Sequence, residues 1–414
     1  MRWTVALALG LVAGCEAGEA AAPANAVGPR PRTSWADVAP ILAARCASCH
    51  AAGGLAPFPL TTAAEARARR QTIAVVVGEE TMPPWLPAEG CGTFAAPRRL
   101  PREEKQLLLE WAKTGDESGA PDASSASPGA PAKLARVDVT LEASADYLPE
   151  HIGGGLDHFQ CFVVQEVATE PRFVVGWDVR PTNPKQVLGV RVAEVDLAEA
   201  SALDASDPAA GWRCTSGIAS LPSARAVAAW TARSGATRLP RGVGVRLSPG
   251  RALAFELHYH AHDPSSGAFT ATADRTKVDL ELASGPVERT AELVTVGLPN
   301  VVVPPLARGH VRSGTIALDE AGDLLAIEPR MHTLGRTIRA SLVGGRAPAC
   351  LVDVPRWDHH WEDLFLLAAP VPLAGKGIEL SCSWDNLTSS VVTGGREIDD
   401  EECAVDLLVT RAAP

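Results

Sequence analysis

Apolar residues change their rhythm once along this chain. Between Trp35 and Ala112 they recur at helical spacing. Ser34 stands as an N-cap before "WADVAPILAARCASCH", and "LPREEKQLLLEWAKTG" opens near Pro101 and stops at Gly115. Beyond residue 134 the chain breaks into short alternating runs, among them "RFVVGWDVRP", "RALAFELHYH", "GTIALDE" and "KGIELSCSWDN", separated by Gly, Pro, Asn and Asp. Period-two alternation with frequent turn residues predicts β-sandwich structure. Residues 15–32 and 118–134, rich in Ala, Pro, Ser and Gly without periodicity, read as a tether and a linker. The roughly 280 residues after the linker exceed what one sandwich usually needs. The expected fold is therefore multidomain, with a small α-helical domain over residues 33–117 and all-β sandwiches over 135–262 and 263–414.

With 46% hydrophobic residues the chain can bury sizeable cores, and its net charge of -11 argues against nucleic acid as a partner. Arg2 leads into "TVALALGLVAGC", an apolar run too short to span a bilayer, which predicts an export signal over residues 1–14. "LVAGC" resembles a bacterial lipobox, which makes Cys15 the lipidated residue. Acyl chains on Cys15 would anchor the protein to a membrane on the periplasmic side of the bacterial envelope. Its cysteines then meet oxidising conditions.

"CASCH" places Cys46, Cys49 and His50 in the attachment pattern of c-type heme, two thioether-forming thiols followed by an iron ligand. A redox dithiol wants a βαβ context, and zinc wants a second CxxC or HxH nearby; residues 33–117 supply neither. Met82 in "ETMPPWLP" and Met331 are the methionines left once the signal is removed, and Met82 shares the heme segment. Met82 is accordingly the expected sixth ligand, which raises the potential and suits electron transfer.

His258, His260 and His262 alternate and are followed by Asp263, so on a strand the imidazoles share one face. They would span roughly 13 Å, too far for one ion to meet all three, although adjacent pairs can serve. His359 and His360 in "WDHHW" read as structural.

"WTARSGATRLPRGVGVRLSPGRALAFELHYH", "RMHTLGRTIRA" and "GGREIDDEECAVDLLV" follow one another within about residues 140–412. In that order they resemble the copper type II, ascorbate-dependent monooxygenases of the peptidylglycine α-hydroxylating kind, whose bacterial relatives also occur with a cytochrome c segment in front. The resemblance implies two jelly-roll-like sandwiches, each with one copper site facing a shared cleft. It also implies disulfides Cys161–Cys214 and Cys382–Cys403, leaving Cys91 and Cys350 either unpaired or bridging the heme segment to the β part. At the first copper site the family's adjacent histidines fall on Leu188 and Gly189, while His258 keeps the third ligand. At the second site Arg330 replaces one histidine, His332 keeps the other, and Glu402 stands where methionine belongs. Glu256, Asp263 and Glu402 are carboxylates that can join His258 or His332 at a non-copper site.

Two functions follow as expectations. The first is an exported, lipid-anchored c-type cytochrome for electron transfer, working with a redox protein or a small donor or acceptor. Its copper monooxygenase-like β module has lost most copper ligands. The alternative is an active copper-dependent monooxygenase, an oxidoreductase fed by its own heme.

Overall fold

The computed structural model describes residues 32–412 apart from 53, 120–132, 150–156, 167, 233, 261, 264–267, 270–271, 319–321, 396 and 398. Side chains at 165–166, 262–263, 268–269 and 412 are likewise left aside. Cys15 and the export segment lie outside the described residues.

Strand makes up 41% and helix 16% of the structure. This corrects the expected fold class: no sizeable helical cytochrome domain stands ahead of two separate jelly-roll-like sandwiches, and the molecule is mostly β-sandwich. Five α-helices occur among the described residues: α1 (Trp35–Arg45), α2 (Ala63–Ala68), α3 (Arg70–Gly78), α4 (Arg102–Thr114) and α5 (Leu197–Ser206). They are short because Pro57, Pro59, Pro83, Pro84, Pro87 and Pro97 break the intervening chain. Asp37 accepts from the Ser34 backbone N–H at 2.8 Å at the start of α1. Gly115, at φ 64°, closes α4, where a left-handed residue is wanted. Trp35, Leu42, Leu108 and Trp111 make a small core among these helices. No helix among the described residues is long and apolar enough to cross a membrane.

One nine-stranded sheet runs through the β part. Its order is Val139–Glu142, Lys277–Leu282, Arg172–Arg180, Val243–Leu247, Arg289–Gly297, Ala404–Ala412, Asp323–Arg330 and Phe365–Pro372, with Thr237–Arg238 pairing off Arg172–Arg180. The first- and second-half strands meet where Arg289 and Thr290 pair in parallel with Val243 and Gly244. A five-stranded sheet holding Asp157–Glu166, Val187–Val195, Arg225–Thr231 and Ala252–His260 packs over one end. A four-stranded sheet of Ala307–Ala317, Gly335–Val343, Ala349–Val354 and Gly377–Asn386 packs over the other. The strand "AVDLLVTRA" explains why the halves do not separate. Leu408 faces the first core, while Val405, Leu407 and Val409 face the second, so the strand is buried on both sides.

The stretch between α3 and α4 leaves the helices and joins the second core. Trp85, Leu86 and Phe94 pack against it, with the Trp85 ring 5.0 Å from Phe365. Ala95 N–H donates to Leu366 O at 2.9 Å and Ala368 N–H to Thr93 O at 2.8 Å, extending the sheet edge. Arg98 pairs with Asp363. Cys91–Cys350 ties the same stretch to the β part, which settles those two cysteines. Cys161–Cys214 and Cys382–Cys403 are the other two disulfides.

Candidate functional site

The heme-type motif sits just past α1. Cys46 and Cys49 are not disulfide-bonded, and burial pushes the Cys46 thiol up to about 12. His50 Nδ1–H donates to the Phe58 carbonyl at 2.9 Å, and the two rings lie 4.9 Å apart. That bond spends Nδ1 and leaves Nε2 as the lone-pair nitrogen, the arrangement that orients ligating histidines. Burial also lowers the His50 pKa, so the imidazole is neutral. These residues fit a covalent c-type heme. Met82 lines a cavity of about 510 Å³ together with Trp85, Arg356, Trp357, Asp358 and Trp361.

A second cavity, of about 290 Å³, opens between the five-stranded sheet and the second half. His258, His332, Arg330, Glu402, His359 and His360 all line it. Beside it four imidazoles surround the single carboxylate of Asp157. Sheet pairing sets Asp157 opposite His260 and Phe159 opposite His258. His258 Nε2–H and His260 Nδ1–H both donate to Asp157 Oδ1 at 3.0 Å. From the second half, the turn His359–Trp361 brings His359 Nε2 to 3.8 Å and His360 Nε2 to 3.7 Å from Asp157 Oδ2. Burial pushes the Asp157 carboxyl up, but the four surrounding histidines outweigh it and hold the group well below the usual carboxylate range. His360 Nδ1–H donates to Asp358 Oδ1 at 2.9 Å. Burial works against a charge on His360, yet Asp157 and Asp358 raise its pKa to about 9.

Elsewhere in the same cavity the positions implied for copper are filled by other chemistry. Gly189 is the cross-strand partner of His258, so position 189 offers no side chain to that imidazole, and Leu188 offers no donor. Arg330 Nε–H donates to Glu402 Oε1 at 2.8 Å, and its Nη1 lies 3.3 Å from Asp406 Oδ2. Arg191 meets the same Asp406 oxygen at 2.7 Å and Glu328 at 3.0 Å. Burial opposes charge on Glu402, but Arg330 and His332 keep it ionised, well below the ordinary value. His332 Nδ1–H donates to the Asp400 carbonyl at 2.9 Å, and Nε2 is 3.5 Å from Glu402. Met331 is buried in the second core. A guanidinium hydrogen-bonded to the would-be sulfur position cannot be shared with a copper ion. The residues present do not fit copper at either implied centre.

Of the sequence-derived candidates, the fold therefore joins His258 with His260 and sets His332 apart with Arg330 and Glu402. Glu256 also lines the cavity, and its carboxylate accepts from the Ile218 N–H at 2.5 Å. The side chains of His262 and Asp263 lie outside the described residues. Asp157 was missed, and His359 and His360 were read as structural. The HH pair was the available signal; nothing local marks Asp157.

The site thus sits in a two-core β sandwich with short helices docked on it. No family model matches the chain, and no curated protein matches it. Among solved structures it is similar to the major capsid protein P2 of bacteriophage PM2, at 10% identity, with 67% of this chain and 98% of that one covered and a TM-score of 0.28. The infectious bursal disease virus VP2 subviral particle gives 11% identity, 69% and 74% coverage and a TM-score of 0.20. A Paenibacillus xanthan lyase gives 11%, with 74% of this chain but 29% of the lyase covered, and a TM-score of 0.18. Scores this low carry no argument.

Proposed function

We propose that this protein is an electron-transfer protein of the bacterial envelope, exported, lipid-anchored through Cys15, and carrying one c-type heme. Cys46 and Cys49 would hold the heme through thioethers, with His50 Nε2 and Met82 as iron ligands. The observation that carries the reading is the His50 Nδ1–Phe58 O bond of 2.9 Å beside two cysteines outside any disulfide. Bound heme supplies a one-electron couple. The chain's own part is to keep His50 neutral and oriented, and to keep the Cys46 side away from bulk water. Its exchange partner is a redox protein or a small donor or acceptor, and a net charge of -11 disfavours nucleic acid. The β part resembles a copper monooxygenase module whose inherited metal positions have been replaced, and it serves here as the body on which the heme segment is docked.

The test is a pyridine hemochrome assay on the full chain expressed with heme-attachment machinery. One heme per chain that resists acid–acetone extraction is expected, and Cys46→Ser/Cys49→Ser should remove it. Wild-type protein that emerges without covalent heme, with Cys46 and Cys49 cycling between dithiol and disulfide, would overturn the reading.

A further inference from the structure

Four imidazole nitrogens converge on Asp157 from both halves of the β part. Ligand atoms of Asp157, His260 and His360 all lie within 4.8 Å of one another. A tetrahedral ion with bonds near 2.1 Å holds its donors about 3.4 Å apart. Side-chain rotation closes that difference. His258 and His359 flank the trio, their Nε2 atoms 3.0 and 3.8 Å from Asp157. Among the described residues His359 Nε2 is buried with no hydrogen-bond partner, a cost unless something else engages it. His360 carries the support expected of a metal ligand: Asp358 takes its Nδ1–H at 2.9 Å, leaving Nε2 turned towards the cluster. The Phe159 ring stacks on His258 at 4.6 Å and limits the rotation of that imidazole.

We propose that Asp157, His260 and His360, with His258 and His359 beside them, bind one divalent first-row transition ion, zinc or cupric copper. The donor set decides the class. Imidazole and carboxylate without sulfur suit these borderline ions, whereas cuprous copper prefers thioether or thiolate. This is a different centre from the two that the monooxygenase resemblance implies. Among those implied positions it uses His258 alone, and its remaining donors come from residues with no counterpart there. The site closes only when the turn at His359–Trp361 lies against the Ala252–His260 strand, so the ion would clamp the two halves across the cleft. The inference does not rest on the heme reading.

Full-length, tag-free protein stripped with a chelator should take up one equivalent of Zn²⁺ by titration calorimetry. Cu²⁺ should give a type II EPR spectrum with nitrogen hyperfine structure. His260→Ala and His360→Ala should each weaken Zn²⁺ by at least about 10–100-fold, and Asp358→Asn, a positioning change, by about 10-fold with stoichiometry kept. His332→Ala should leave affinity unchanged. Zinc X-ray absorption on the wild type needs no variant and should show nitrogen and oxygen scatterers near 2.0–2.1 Å without sulfur. Three results would overturn the proposal: no stoichiometric Zn²⁺ or Cu²⁺ on folded wild type, unchanged affinity in folded His260→Ala and His360→Ala, or loss of binding in His332→Ala. Heme content, read separately by pyridine hemochrome, keeps failure of this site distinct from failure of the electron-transfer reading.

Discussion

Replacing Arg330 by methionine tests whether the second position that the monooxygenase resemblance implies for copper is an ion-pair site. The side chains of Arg330, Glu402 and Asp406 are 20%, 14% and 2% exposed, so the charges sit largely out of water. Methionine keeps much of the length and volume, which isolates the charge. Asp406 retains Arg191 at 2.7 Å, but Glu402 is left with His332 at 3.5 Å. Breaking a buried pair by removing one partner costs about 3–5 kcal/mol, and the surviving Arg191–Asp406 contact places the expected cost near the lower end, about 3 kcal/mol. At about 2.1 cal/mol/K per residue, the roughly 280-residue β part shifts by about 1.7 °C per kcal/mol, so Tm should fall by about 5 °C. Urea unfolding followed by tryptophan fluorescence gives the free energy, and circular dichroism gives Tm. Neutralising the orphan in Arg330→Met/Glu402→Gln should recover about 1 kcal/mol or more relative to the single variant, because contacting residues couple. A single variant that melts within about 2 °C of wild type would mean that Arg330 is not the counter-charge. Arg330 would then not exclude copper from this position.

Two further perturbations probe how the parts are joined. Cys91→Ala/Cys350→Ala opens a loop of sequence separation 259 and, if loop entropy in the unfolded chain dominates, should cost about 5 kcal/mol. Limited proteolysis should then release the α1–α4 stretch more readily, and unchanged unfolding would show that the backbone pairing alone holds it. Glu401→Ala removes the acceptor for His332 N–H at 3.1 Å, Leu334 N–H at 2.6 Å and Trp384 Nε1–H at 2.9 Å. At about 1–3 kcal/mol per buried orphan the loss should reach about 3 kcal/mol by the same urea assay, and a loss below about 1 kcal/mol would refute the assignment.

What was legible in the sequence was local. The heme-type motif occupies five consecutive positions, and strand alternation after residue 134 reports which face of each strand is buried. The sheet shared by the two halves was not legible at Ala404–Ala412, because a strand buried on both faces carries no sign of which core it belongs to. Its apolar residues were assigned to one half, while Leu408 serves the other. The helical domain was overdrawn for a related reason. Helical spacing in α1 and α4 is plain, but Trp85 and Phe94 between them pack on Phe365, a partner more than 250 residues away that no window of sequence reveals. The cluster around Asp157 assembles from three distant stretches through sheet register and a turn. A three-histidine alternation could therefore point to the neighbourhood but not to its carboxylate.

The docked stretch also decides which parts can influence one another. Arg356 donates to the carbonyls of Glu79 at 2.9 Å and Glu80 at 3.2 Å, fastening the turn before His359 to the end of α3. Asp358 lines the Met82 cavity and also holds His360 Nδ1. One short segment, residues 355–361, therefore forms a wall of the cavity beside the heme-type segment and supports a nitrogen of the imidazole cluster. A heme domain on a flexible linker would have no such relation to the cleft, since linker motion would average away any fixed contact. Here the disulfide, the extended sheet edge and the Arg98–Asp363 pair hold the geometry. Asp358 is thus the side chain that physically links the wall of the Met82 cavity to His360.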